Sequence, residues 1–380
     1  MKKRSVEIVF STKTNMRKHI LITLLLLAVL LLASCQTVLS IPYTQPSNVD
    51  MSQYRNIAVA SASKYEGSES LPFYVRYDNY IYAPGIIYPE YFTSYSYSDV
   101  NSTAAKELTK MVSKVFNSSS YYSALSTEKT DTYISLYRIG KDPSSLLKND
   151  GIDALIVPKI TSLRTDEYID VKVVKDYKGI ETIKYTLYRT VDISFTLTVL
   201  DTATDRIVTV REYRASNSDW EVFDPDYYIF TTLLSEQQLV ADALSDKIDE
   251  IVADFIPTRR YTNVTLKDNR PRLESVEEAY KSAENGNLNY ALTVFEKAYD
   301  ENGHVPSGYN AALILAAQGD LESAISILYD IRAKGMDDSE VNYLYSKLVA
   351  LKAKNEEAKK QYESKNDDTS GTVSPYEYLL

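Results

Sequence analysis

Three residues near the C-terminus recur at a fixed step. Gly286, Leu288 and Ala291 return as Gly319, Leu321 and Ala324, each 33 residues on, and Ala358 falls 34 residues beyond Ala324. A step of that length with helical spacing inside it forces this part of the chain into stacked pairs of helices, because one pair cannot bury its apolar face alone. With Gly286 and Gly319 as the turns between helices, Ala279 and Ala312 fall in first helices, and Ala291 and Ala324 in second helices. Small side chains at those positions let the helices cross closely. Phe295 and Leu328 then fill the large apolar position one turn later. A third copy is degenerate: Ala353 stands in place of the turn glycine and Asn355 in place of the leucine. Its charged run (Lys352, Lys354, Glu356, Glu357, Lys359) suits a solvated cap, and residues 366–380 read as a flexible tail.

The period and its glycine, leucine and alanine positions resemble the tetratricopeptide repeat. The resemblance implies an all-α repeat domain over residues 272–365, with a concave face that takes peptides or helices from partners. Tyr309 and Asn310 lie on the first helix of the second repeat and are the candidate partner-binding residues in that groove. Asparagine also has structural uses at such a position.

The opposite end is dominated by an apolar run, Leu21 to Leu32, preceded by Arg17, Lys18 and His19 and followed by Ala33, Ser34 and the only cysteine, Cys35. A basic start, a short apolar stretch and small residues before a break have the layout of a secretory signal. The run is too short to span a bilayer comfortably, which takes about 20 residues. Leu32-Ala33-Ser34-Cys35 resembles the bacterial lipobox. That resemblance implies a signal peptide over residues 1–34, cleavage before Cys35, a diacylglycerol on its sulfur and usually a third, palmitate-type chain on the new amino terminus. A single acyl chain would hold a membrane only marginally. Gln36 is not the aspartate that retains such proteins at the inner membrane in enteric bacteria, so the expected place is the outer membrane, on the periplasmic face rather than the cell surface. Met16 is a second plausible start, since residues 1–15 make a long leader.

Composition narrows the function classes. The whole chain carries a net charge of −10, and the leader holds six basic residues and one acid, which leaves the remainder near −15. An acidic chain without a basic cluster is a poor match for nucleic acid. One cysteine allows no intrachain disulfide and no cysteine-based zinc site, and only His304 lies beyond the leader, so no metal site or cofactor is expected. His304 sits in a glycine-flanked loop and is expected to be exposed and inert. No nucleophile elbow, phosphate loop, dinucleotide fingerprint or zinc-protease motif occurs. The acidic pairs Asp166-Glu167 and Asp224/Asp226 read as solvated faces, so no catalytic residue is assigned. Tyrosine is the outlier, at 33 residues against nine phenylalanines and one tryptophan, and it suits half-buried strands or wet interfaces.

Residues 35–54 hold two prolines and no helical period, and they read as a tether. Asn56–Ala60 predicts a short buried strand, and residues 64–98, with nine tyrosines, a long insert and a candidate binding surface. Ala104, Leu108, Met111, Val112 and Val115 predict a helix from Asp99, and a short helix over Pro143–Lys148 leads to a strand at Ile152–Pro158. Alternation over 166–200 predicts a hairpin turning at Lys178-Gly179 and running on into a central strand, with a second turn at Asp201–Asp205 and a return from Ile207 to Tyr213. Ser235 and Gln238 have capping-box spacing, and an apolar stripe from Leu239 to Phe255 predicts one long helix ended by Pro257. The segment 258–271 reads as a basic, polar linker.

The strand after the proline-containing tether, the Gly151-Ile-Asp-Ala-Leu-Ile-Val157 strand and Phe195–Val208 together resemble the curli-secretion (CsgG-like) lipoprotein fold, which the penicillin-binding-protein activator lipoproteins share. The resemblance covers residues 45–257 and rests on structural motifs; Asp205 stands where that family usually has glycine. It implies an α/β domain, a CsgG-like sheet with helices, over residues 55–257. The chain is therefore expected to be a membrane-anchored envelope lipoprotein, non-enzymatic, that binds a periplasmic protein partner through its repeats as a scaffold or regulator. One alternative is an oligomeric secretion component in which Tyr168–Thr190 inserts as a hairpin. The other is an envelope enzyme acting on carbohydrate or lipid.

Overall fold

A computed structural model describes residues 37–67, 74–77, 80–82, 97–136, 142–175, 177–223, 232–336 and 338–363. In chain order the strands are β1 (Val38–Gln45), β2 (Asn56–Val59), β3 (Tyr74–Tyr77), β4 (Tyr80–Tyr82), β5 (Ser123–Leu125), β6 (Ala154–Lys175), β7 (Glu181–Asp201), β8 (Arg206–Phe223) and β9 (Thr258–Thr265). The helices are α1 (Tyr97–Asn117), α2 (Thr127–Ser135), α3 (Pro143–Asn149), α4 (Glu236–Ser245), α5 (Ile248–Phe255), α6 (Glu277–Glu284), α7 (Leu288–Asn302), α8 (Val305–Ala317), α9 (Leu321–Ala333) and α10 (Ser339–Glu363). The chain divides into two units. A helical unit combines residues up to Tyr43 with Arg260–Lys352, and an α/β unit combines Thr44–Arg259 with the chain from Ala353. The signal segment 1–34, Cys35, most of the tyrosine-rich insert, Asp224/Asp226 and the tail 366–380 lie outside the described residues.

The α/β unit is organised around β6. Its length lets one edge pair in parallel with β2 near the start (Ile57 with Ala154) and with β3 further on (Tyr74 with Tyr168), while β7 runs antiparallel along the whole of the other edge. β5 extends the sheet in parallel beyond β2, β4 turns back on β3, and β8 pairs antiparallel with β7. Alternation sets the core. Val191, Ile193, Phe195, Leu197 and Val199 on β7 are buried, while the residues between them are at least partly exposed. Against them pack Leu108, Val112, Val115 and Phe116 of α1, Leu239, Ala243 and Leu244 of α4, and Ile251 and Phe255 of α5. Removing a buried phenylalanine such as Phe195 would cost about 3–5 kcal/mol, transfer and cavity together. On the opposite face a smaller cluster joins Ala58, Ala60, Ile152 and Leu155 to Leu147 of α3 and to Tyr133 and Ile134 of α2.

The predicted turn at Asp201–Asp205 forms, with Asp201 Oδ1 accepting from the backbone N–H groups of Ala203 (2.7 Å) and Thr204 (2.9 Å). Asp205 takes φ +56°, the left-handed conformation in which short polar side chains are tolerated after glycine. The predicted single helix over 235–255 is two helices. Ser235 caps α4 as expected, its hydroxyl accepting from Gln238 N at 3.1 Å. The chain then tightens to a three-residue step, Lys247 N bonding Leu244 O at 3.0 Å, before α5 restarts.

In the helical unit α6 pairs with α7 and α8 with α9. Gly286 (φ +79°) and Gly319 (φ +93°) make the turns between the members of each pair, in a conformation that glycine reaches without strain. Ala279, Ala291, Ala312 and Ala324 are fully buried, as are Phe295 and Leu328. The third copy is one helix. With alanine at 353 instead of glycine nothing breaks it, and α10 runs straight through. Its residues from Ala353 on belong to the α/β unit: the charged side chains Glu356, Glu357 and Lys359 are exposed as expected of a solvated cap, while Ala358, Gln361 and Tyr362 are buried, and the boundary expected at 365 falls earlier.

Part of the expected tether, Val38–Gln45, is a strand, and so is most of the expected linker. β1 and β9 form a two-stranded sheet in which Thr37 O accepts from Leu266 N (3.0 Å) and Ser40 Oγ donates to Asn263 Oδ1 (2.7 Å), a register that makes them antiparallel. Leu39 and Ile41 on one strand and Val264 on the other enter the helical core, joined by Leu266 just beyond β9.

Candidate partner-binding surfaces

The helical unit fills one of its own faces. The extended segment that follows β9 lies across the first helices of the pairs and is held there by side chains from three of them. Asn310 of α8, fully buried, accepts from the backbone N–H of Lys267 (2.7 Å) and donates to its carbonyl (3.0 Å) and to the Tyr280 hydroxyl (2.8 Å). Tyr280 of α6 donates to the same carbonyl at 2.7 Å. Lys267 Nζ sits between Asp338 (3.0 Å) and Glu340 at the start of α10. Burial works against its ammonium, but the two carboxylates outweigh it and hold the group above the usual lysine range.

Four residues on, Pro271 O receives Nε2–H of His304 at 2.8 Å, and Ser307 Oγ lies 2.7 Å from Nδ1. A carbonyl can only accept, so the ring carries its proton on Nε2. His304, expected in an exposed loop, is therefore buried and structural. Asn310 likewise grips the protein's own backbone. Tyr309 is buried as well, its hydroxyl pushed up to about 12 by burial and by the carboxylates of Glu340 and Asp338. It borders a cleft of about 510 Å³ with Lys267, Glu340, Tyr343 and Lys347. Of the two predicted binding residues, Asn310 is engaged by the chain's own backbone, while Tyr309, though buried, lines that cleft.

The open apolar surface is elsewhere. Between α9 and α10 a cleft of about 550 Å³ is lined by Ile325, Tyr329, Tyr345 and Val349 and closed at one end by the Glu322–Lys352 ion pair (2.6 Å). Tyr329 and Val349 are 61% and 42% exposed. The position follows from the repeat logic. The stretch 339–352 of α10 has no second helix of its own, so the side on which that helix would stack is left uncovered by the helical unit. Tyr329 and Val349 make this cleft a candidate partner surface. Nothing in the period announces it; the signal was the missing glycine at 353.

The acidic pair Asp166-Glu167 is not a solvated face. Asp166 pairs with Arg164 (2.7 Å), and Glu167 with the buried Arg189 (2.7 Å), which also donates to Leu234 O (2.6 Å). Burial, opposed by Arg189 and reinforced by Glu167, raises the Glu236 carboxyl beside them. This is a packed charge network in which each group named has a partner. Among the described residues no group of three or more His, Cys, Asp or Glu side chains is placed to hold a metal ion. Among the same residues no helix is long and apolar enough to cross a membrane.

The projecting hairpin is short. β6 and β7 pair out to Lys175 and Glu181, but Ile169, Val171 and Leu187 are buried on their own unit. The arms in which every residue is exposed are Lys172–Lys175 and Glu181–Lys184, about 14 Å at strand rise. A transmembrane barrel presents an apolar band of about 25 Å.

No protein-family model matches the chain, and no curated protein matches it in sequence. Solved structures similar to parts of it include the C-terminal domain of LpoB from Salmonella enterica, at 8% identity, covering 42% of this chain and 81% of that one with a TM-score of 0.21. Lipoprotein GNA1162 from Neisseria meningitidis is similar at 10% identity, 52% and 98% coverage and a TM-score of 0.23. Protein XCC0632 from Xanthomonas campestris is similar at 12% identity, 56% and 91% coverage and a TM-score of 0.24.

Proposed function

We propose that this chain is a lipid-anchored protein of the bacterial envelope that acts without catalysis, as a scaffold or regulator, and holds a periplasmic protein partner on its helical unit. In this reading Cys35 carries the acyl chains, the α/β unit is CsgG-like, and the helical unit is a tetratricopeptide-like array. The observation that carries the partner-binding part is the uncovered cleft between α9 and α10, because the groove across α6, α8 and α10 already holds the chain's own segment. A helix with an apolar stripe is the occupant that such a stacking surface fits. The secretion-pore alternative is disfavoured by hairpin arms of about 14 Å.

The test is crosslinking capture from the envelope with the full protein and with Tyr329→Glu and Val349→Glu. A defined partner should be captured by the parent and lost with either variant, while thermal unfolding of the variants stays within about 0.5 kcal/mol of the parent, as for surface changes. Undiminished capture by both variants would remove the cleft from the reading.

A further inference from the structure

The bond between Thr37 O and Leu266 N fixes where the anchored end of the chain enters the fold. Only Gln36 separates Thr37 from Cys35. Two residues reach at most about 7 Å. If Cys35 carries acyl chains, as in the reading above, the glycerol backbone of that lipid lies within a side chain's length of the β1–β9 ribbon. A flexible tether of some twenty residues would let a domain roam far from the bilayer; this leash does not.

The ribbon suits that position. β1 and β9 together contain no aspartate or glutamate, in a chain with 52 of them, and Arg259 of β9 is exposed and shares the parity of Asn263. Inward positions Leu39, Ile41 and Val264 belong to the helical core. Ser40 and Asn263, bonded across the strands, mark the outward face, and the strand period places Val38 and Tyr261 on it too. Val38 is 54% exposed and Tyr261 is 60% exposed. An apolar side chain and an amphipathic ring beside an arginine fit the headgroup layer, where tyrosine concentrates and where anionic lipids attract basic residues.

We propose that the outward face of the β1–β9 ribbon is a membrane-contact surface, which rests on phospholipid headgroups through Val38 and Tyr261 once Cys35 is acylated. The proposal rests on the lipid-anchor reading, and the test separates the two.

The acylated full-length protein is reconstituted into phosphatidylethanolamine/phosphatidylglycerol vesicles that contain nitroxide-labelled lipid. Single fluorophores are placed through Val38→Cys, Tyr261→Cys and, as a reference on the helices, Tyr290→Cys. The expected result is quenching at positions 38 and 261 at least threefold stronger than at 290. Equal quenching at the three positions overturns the contact surface even if the protein floats with the vesicles. Cys35→Ser is the separate arm. If that variant floats as well as the parent, and intact mass shows no acyl addition on the parent, the anchor reading itself fails.

Discussion

Asn310 and Lys267, 43 positions apart, close a ring of two hydrogen bonds in which one side-chain amide reads both the N–H and the carbonyl of a single residue. This is how a sheet neighbour would treat a strand, carried out by one side chain from a helix. It pins the segment after β9 onto the repeats and fixes where the 510 Å³ cleft opens.

Asn310→Ala leaves Lys267 N without this acceptor and removes one of the two donors to its carbonyl. Leaving a buried backbone group unpaired costs about 1–3 kcal/mol. The helical unit should lose stability in that range, and amide exchange of residues 266–273 should accelerate before that of α8. Asn310→Asp keeps the acceptor toward Lys267 N but sets a buried carboxylate oxygen against the Lys267 carbonyl, and should cost at least as much as Asn310→Ala. Unchanged exchange in Asn310→Ala would show that the segment is held by something else.

Gly308 predicts a reversal of the usual helix rule. Alanine normally stabilises a helix interior relative to glycine by about 0.5–1 kcal/mol. At this position a Cβ would stand 2.8 Å from Tyr299 Cδ2 and 2.9 Å from Ile331 Cδ1, both buried. Gly308→Ala should therefore destabilise by about 1–3 kcal/mol through overpacking. Gly319→Ala, where space is open but φ is +93°, should cost about 1–2 kcal/mol from conformation alone. Thermal melts of both variants decide the order.

Asp254 should give the α/β unit an acid-sensitive step. It accepts two bonds from Arg211 (2.8 and 2.9 Å), one from the Tyr213 hydroxyl (2.7 Å) and one from Asn48 (2.8 Å). Burial pushes its carboxyl upward, but Arg211, Asn48 and Tyr213 outweigh it and hold it below the usual carboxylate range. A carboxyl lowered in the folded state contributes stability that is complete above its unfolded value, about 4, and is lost as pH falls toward the folded value. Urea unfolding followed by Trp220 fluorescence should show midpoints that fall below pH 4 in the parent and a flatter profile in Asp254→Asn. At neutral pH that variant should be weaker by about 1–2 kcal/mol, because it loses the charge-assisted bonds to Arg211, whose side chain is 42% exposed and is solvated in part by water.

Arg55 should control the end of α10. Its guanidinium lies 3.7 Å above the Tyr121 ring and donates to Gln361 O (2.6 Å) and to Tyr362 O, while Tyr121 OH donates to Gln361 O at 2.6 Å. These are carbonyls of the last helical turn, which lack partners within the helix. Arg55→Ala should cost about 2–3 kcal/mol and speed amide exchange over residues 358–363; Arg55→Lys, without the planar fork, should recover less than half. Normal protection of 358–363 in Arg55→Ala would refute the assignment.

Local signals were legible in the sequence, and distant ones were not. Gly286 and Gly319 announce their turns because glycine alone moves freely to positive φ, and the alternation from Val191 to Val199 announces a buried face. β1 and β9 escape notice because their pairing partner lies more than 200 positions away. Ser40 meets Asn263 across 223 positions, and Pro42 and Pro46 read locally as irregular chain. The break between α4 and α5 carries no glycine or proline, so the apolar stripe runs through it unbroken. Asn310 stands out by its place in the second repeat and His304 reads as an inert loop residue, because what they grip, Lys267 and Pro271, lies in a segment that composition marks only as a linker.

A groove that is served by its own backbone has a built-in competitor. A covalently joined ligand acts at an effective concentration of roughly millimolar or above. Any free peptide aimed at the face of α6, α8 and α10 must outbid that standing occupant, so screens for soluble binders there will return weak hits whatever their intrinsic fit. Among the described residues, the seam between α9 and α10 keeps Tyr329 and Val349 open to a partner that need not displace that segment.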